Sequence, residues 1–127
     1  MNLYKYIAIL SLYAFNVHSE TIDFNQLYRS WGVDIATINT DQGGLFWTRK
    51  LMPNKSCASC HTNDLKKNGA HVKTKKLIKP MSPKINPKRL TDTKKINKWL
   101  KRNCKFTYKR ECTAVEKVNF IEFIRKN

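Results

Sequence analysis

Acidic side chains are what this sequence is short of: nine Asp and Glu stand against 25 Lys and Arg, a formal net charge of +16 over 127 residues. So few carboxylates leave no acid–base pair in view, and a turnover enzyme is therefore not assigned. Glycine and proline number four each, and neither an internal repeat nor a linker appears. Four cysteines rule out a cysteine-rich zinc module, because Cys57 and Cys60 lack a second pair at matching spacing and Cys104 and Cys112 stand eight apart. The apolar run that starts at Ile7 is short and interrupted by Tyr13, Asn16 and His18, so it does not suit a transmembrane anchor.

What that run does suit is export. A basic start (Lys5), an apolar stretch from Ile7 to Phe15, and Val17 and Ser19 at its end form a secretory signal, with cleavage expected after Ser19. The expected organisation is a signal peptide over 1–19 and one domain over 20–127, a periplasmic protein. Only Lys5 of the basic excess belongs to the leader. The field of the mature chain steers it toward an anionic partner. Nucleic acid is a poor candidate for an exported chain whose basic residues run from Arg49 to Lys126 without one aromatic-interleaved stripe. An acidic redox protein or an anionic membrane surface fits better, and a polyanion-binding basic module remains a rival from another class.

Cys57-Ala58-Ser59-Cys60-His61 organises the rest. Two thiols on one tight turn can each add to a vinyl group of the same porphyrin, and the next residue then lies beneath the iron as a neutral imidazole ligand. A thioredoxin-type pair would want a βαβ context, which the flanking sequence lacks. One covalent haem c on Cys57 and Cys60, with His61 as proximal ligand, is the expectation. Export also permits the remaining two cysteines to oxidise to a disulfide.

The elements read as helices. Phe24, Leu27, Tyr28 and Trp31 share one face over residues 22–31, with Gly32 as the stop. Asp41 can cap a short helix through Gly43, Gly44, Phe46, Trp47 and Thr48, where the glycines suggest close approach to another backbone. Lys66 to Lys88, with Gly69, Pro80, Pro83 and Pro87, shows no period and reads as an irregular belt along one haem edge. Thr91-Asp92-Thr93 opens a helix to about Arg102 with Ile96, Trp99 and Leu100 on its apolar face. Thr113-Ala114-Val115-Glu116 is a capping box for a last helix.

Function turns on the far side of the iron, where four residues are candidates. His71 sits among lysines without apolar framing, and Met52 lies too close before Cys57. Met81, between Pro80 and Pro83, would make an ordinary low-spin electron carrier. Asn103 is the fourth, followed directly by Cys104; a bridge from Cys104 to Cys112 would pin the residue beside it. The residues alone favour Met81 slightly over Asn103.

Several runs together resemble one family. They are Ser56-Cys57-Ala58-Ser59-Cys60-His61-Thr62, Pro80-Met81-Ser82-Pro83, Asn86-Pro87-Lys88-Arg89-Leu90-Thr91-Asp92, Lys98-Trp99-Leu100-Lys101-Arg102-Asn103-Cys104 and Arg110-Glu111-Cys112-Thr113-Ala114-Val115-Glu116-Lys117. From Ser56 onward the chain resembles the sphaeroides haem proteins, high-spin, oxygen-binding c-type cytochromes. The resemblance implies an all-α, single-domain, class I-like cytochrome c fold with covalent haem and a long irregular loop. It implies Asn103 as a displaceable distal ligand and Cys104–Cys112 as a disulfide; the family's position matching Met81 can be leucine. Implied too are binding of O₂, NO or CO, and electron supply from a dihaem cytochrome c or a membrane b-type cytochrome. The chain departs from the family in being shorter between Phe46 and Cys57 and far more basic.

Overall fold

Asp23 starts the first helix: its carboxylate accepts the Gln26 N–H at 3.0 Å. Helix α1, Phe24–Ser30, buries Leu27 and Tyr28, and the chain leaves it through Trp31 and Gly32 as expected. The computed structural model describes residues 21–127; the expected leader and its cleavage after Ser19 lie outside the described residues. A 3-10 turn, Ile35–Thr37, occupies the connector that follows.

Helix α2, Gly43–Thr48, corrects one expectation. Asp41 does not cap it; Gln42 stands at the N-cap without a side-chain bond, and Asp41 instead pairs with Lys126 at 3.2 Å. The helix begins one residue too late for the Asp41 carboxylate to cap it, and an opposite charge at the end of another helix is within reach. The glycine reading holds. A Cβ on Gly43 would lie 2.5 Å from Phe123 Cβ and 2.6 Å from the Asn119 carbonyl oxygen, so the crossing of α2 over helix α5 (Ala114–Lys126) requires glycine.

Helix α3 is the motif itself, Cys57–His61, opened by Ser56 and Ser59 in a reciprocal capping box. The basic belt is less irregular than expected. Gly69–Ala70 (β1) pairs antiparallel with Leu77–Ile78 (β2), and Lys75, at φ 58°, turns the chain between them. Two backbone hydrogen bonds between His71 and the Lys75–Lys76 turn close that hairpin. The remaining stretch to Leu90 is turns.

Helix α4 runs Thr93–Tyr108, six residues beyond the expected end at Arg102. Nothing after Arg102 breaks a helix until Lys109 takes a left-handed conformation. The longer helix also redistributes its faces. Ile96, Leu100, Cys104 and Tyr108 point inward at i, i+4, i+8 and i+12, whereas Trp99 is half exposed with Arg102 stacked on its ring at 5.0 Å. Asp92 caps α4 through the Lys95 N–H, and the Thr113–Glu116 capping box opens α5 as expected.

Two apolar clusters meet along α5. One gathers Trp47, Leu65, Cys104, Tyr108, Cys112, Phe120 and Ile124; the other gathers Leu27, Tyr28, Val33, Ile96, Val118 and Ile121. Glu116 ties three segments together, bonding Arg110 at 2.8 Å while Arg49, just past α2, also donates to it. Among the described residues no helix is long and apolar enough to cross a membrane.

Candidate haem site

The single turn of α3 is too short to persist alone, since the nucleus of a helix is unfavourable. Its caps and its neighbours hold it. Trp47 of α2 donates its indole N–H to the Thr62 carbonyl at 2.8 Å, and its ring centroid stands 5.6 Å from that of His61. On another side, β1 presses against the turn: a Cβ on Gly69 would sit 1.9 Å from the Cys60 carbonyl oxygen. Only glycine lets the hairpin pass there.

Both motif cysteines are half-buried and unbridged although only two residues separate them. Burial pushes the Cys57 thiol up to about 11, its Sγ lying 3.8 Å from the Tyr108 hydroxyl. A redox-active pair needs the opposite shift, toward thiolate. Burial, with the Arg89 guanidinium as a smaller cause, brings His61 down to about 4, so the imidazole is neutral. Its Nδ1 is buried and has no hydrogen-bond partner. Among the described residues no three His, Cys, Asp or Glu side chains gather into a metal cage.

The stretch downstream is pinned to the same place. The Leu65 carbonyl accepts the N–H groups of Met81 and Ser82, both at 2.9 Å, and the Ser82 hydroxyl donates to the Asn127 carbonyl at 2.8 Å. Arg89 clasps the loop from outside, donating to the carbonyls of Pro80 at 2.9 Å and Lys79 at 2.6 Å. Met81, Leu90 and Leu100 are half-buried against the cluster that also touches Cys57.

The expected residues therefore divide. Cys57, Cys60 and His61 share one turn, and Cys104 and Cys112 bring their sulfurs to bonding distance with Cα atoms 5.6 Å apart. Met81 joins the cluster beside Cys57. Asn103 is exposed in the middle of α4, not at its end, so a C-capping role is excluded. It shares a stripe with Trp99 and Phe106. His71 sits in the hairpin, its Nδ1 accepting the Lys73 and Thr74 N–H groups and its ring against Phe106. Met52 sits in a tight turn bridged to Lys55.

Sequence reasoning did not single out Arg89, Trp47 or Gly69 as parts of this site. The Gly43-Gly44…Trp47 spacing could have exposed Trp47, because the close approach to another backbone that the glycines suggest also carries the helix's aromatic residues inward. Nothing in the sequence separates Arg89 from its fifteen basic neighbours between Lys66 and Lys109.

Two adjacent thiols, an orphaned buried imidazole nitrogen and half-buried apolar side chains from several segments fit a porphyrin bound through this turn. Residues 33–124 match the family described as a domain of unknown function, DUF1924. Cytochrome c'' of Methylophilus methylotrophus is 35% identical over 86 residues, 65% of this chain and 60% of its own. The cytochrome c-type protein SHP of Cereibacter sphaeroides is 38% identical over 69 residues, 54% of this chain and 53% of its own. The matches thus span little more than half the length of these relatives.

Solved structures agree. Oxidized SHP, described as an oxygen binding cytochrome c, superposes with a TM-score of 0.72 at 27% identity, covering 85% of this chain and all of that one. Oxidized cytochrome c'' from Methylophilus methylotrophus gives 0.66 at 31% identity, covering 78% and 89%. The fold is the helical cytochrome c fold, and the cofactor is covalently bound haem c. This chain belongs to the DUF1924 family and is one of the c-type cytochromes of the sphaeroides haem protein family.

Proposed function

We propose that the chain is an exported, single-domain monohaem cytochrome over residues 20–127, whose haem binds O₂ or a related diatomic and receives electrons from other cytochromes, such as a dihaem cytochrome c or a membrane b-type cytochrome. Cys57 and Cys60 carry the thioether bonds, His61 is the proximal ligand and Asn103 the distal one. The observation that carries this reading is His61: a neutral imidazole with a buried, unpartnered nitrogen, directly after two unbridged thiols.

Haem, when bound, supplies a redox-active iron with one side open to a small ligand. The chain's own residues do the rest. Trp47 and the capped turn hold the His61 ring in one orientation, and Arg89 keeps a positive charge near it that disfavours imidazolium. Asn103 is carried on a helix rather than a loop, and the Cys104–Cys112 pair ties the next residue to the start of α5. The neutral Asn103 amide would be a weak ligand to that iron, easily displaced by a small ligand. The alternative is an ordinary low-spin carrier with Met81 on the iron, favoured by that side chain's place against the cluster that touches Cys57.

One absorption experiment on purified holoprotein separates the two. Asn103 ligation gives a high-spin ferrous spectrum, rapid CO binding, and an Asn103→Ala variant altered mainly in the ferric state. Met81 ligation gives low-spin iron in both states and a spectrum that collapses on Met81→Leu. Covalent haem persisting in Cys57→Ser with Cys60→Ser would sink the attachment itself. Intact mass of the exported product tests cleavage after Ser19.

A further inference from the structure

The charge of the folded chain is not spread as evenly as the basic residues are. From Lys66 to Lys109 there are sixteen Lys and Arg and one carboxylate, Asp92; the described residues on either side are close to neutral. Within that segment only Lys67, Lys95, Lys101 and Lys105 reach a carboxylate within 4.0 Å, among the described residues. Apart from Arg89, which donates to the Lys79 and Pro80 carbonyls, the others are exposed and have no partner carboxylate among the described residues.

One place brings two cations from separate elements onto an aromatic ring of a third. The Lys55 ammonium, in the turn leading into α3, stands 4.7 Å from the Phe106 ring centroid, and the Lys73 ammonium of the hairpin stands 5.7 Å from it. The His71 ring meets the same face of α4 at 5.3 Å. Beside them Leu77 of β2 is 65% exposed, an apolar side chain among lysines. The hairpin carrying Lys73 is itself seated on Cys60 through Gly69, and Phe106 is three residues past Asn103. The cluster therefore borders the haem turn.

We propose that this hairpin face, centred on Lys55, Lys73 and Phe106, is the docking surface for an acidic electron-transfer protein. The inference rests on the haem reading above and adds where the partner sits and what its surface carries. Unpaired cations around a half-buried aromatic ring match carboxylates around an apolar centre, and complementary charge raises the encounter rate and fixes orientation. Docking here brings a partner's cofactor beside the turn that holds the porphyrin. A membrane surface would reward the whole basic segment equally, whereas the convergence on Phe106 is local.

The test uses holoprotein whose haem content is first established by mass, so that failure of the haem reading is seen separately. The probe is a plant-type ferredoxin, an acidic carrier, with binding followed by calorimetry and electron transfer by stopped flow. Affinity should fall about tenfold or more as salt rises from about 50 to about 300 mM. Lys55→Glu with Lys73→Glu should weaken low-salt binding about tenfold, and Lys94→Glu with Lys98→Glu, further along α4, no more than about threefold. Should the first pair disturb folding, Lys75→Glu with Lys76→Glu, on the hairpin turn bonded to His71, carries the same expectation. Equal losses from both regions, salt-independent binding, or binding to phosphatidylglycerol vesicles with none to ferredoxin would each overturn the proposal.

Discussion

Residues 21–65 and 110–127 tie buried carboxylates to cations, whereas in the segment from Lys66 to Lys109 four lysines meet exposed carboxylates at 3.6 to 4.0 Å and the other cations meet none among the described residues. In the first region Glu116 is clasped by Arg49 and Arg110, Glu122 takes the Tyr28 hydroxyl at 2.6 Å together with Arg125, and Asp41 meets Lys126. These contacts join elements far apart in sequence, and two of the carboxylates are buried. In the second region order comes from a glycine contact, an Asp92 cap, backbone turns, the Arg89 clasp and a few apolar side chains, while most lysines are exposed. Charge holds the first region together; in the second it is free to be met by something else.

That contrast can be broken first at the crossing of α2 over α5. Gly43→Ala should lower stability by about 3 kcal/mol, because the new methyl meets backbone and a Cβ rather than a flexible side-chain tip. Urea unfolding would show it, and a loss below about 1 kcal/mol would mean α2 and α5 are less closely engaged than their geometry indicates.

Next comes the covalent tie between the two regions. Cys104→Ser with Cys112→Ser frees a short loop and should cost about 2.5 kcal/mol by chain entropy. Both cysteines are buried in the apolar cluster with Trp47 and Tyr108, so the effect should reach beyond the loop beside Asn103. CO-binding rate and thermal midpoint should both change; free thiols in the exported protein would remove the premise.

Glu116→Gln is expected to cost about 2 kcal/mol at neutral pH, since it leaves two guanidinium groups facing a neutral amide. The hydrogen bond from Arg110 first, then the Thr113 N–H and Arg49, bring this carboxyl down to about 2 from its ordinary 4.5, against the effect of burial. A depressed carboxyl pKa stabilises the fold above the unfolded value, and that contribution fades as pH falls from about 4.5 toward 2. Unfolding midpoints at pH 6 and pH 3 should therefore converge between wild type and variant. A constant gap would assign the loss to packing.

The smallest effect on stability belongs to the basic segment. Lys94→Gln with Lys98→Gln should shift stability by less than about 0.5 kcal/mol, because neither ammonium has a partner carboxylate among the described residues. A loss comparable to that at Glu116 would erase the distinction between the two regions.

The parts legible before folding were those governed by near neighbours in the chain. The Asp92 and Thr113 caps act over three residues, and the Cys57–His61 turn places its own thiols and imidazole together. The Gly43 crossing was legible because a glycine pair before aromatics has few other uses. The end of α4 was missed: Arg102-Asn103-Cys104 looks like a terminus only if Asn103 is taken as a cap. The hairpin was missed because its strands are two residues each and hold no alternation to read.

What the sequence by itself determined is the chemistry of the haem turn, the family to which the runs from Ser56 onward point, and the size and sign of the charge. Each is local or additive and needs no partner segment. Tertiary structure alone decided that Gly69 abuts Cys60, that Arg89 stands near His61, and that Lys55 and Lys73 converge on Phe106. Those pairings join residues separated along the chain, and a contact of that kind exists only once packing has chosen which surfaces exclude water together.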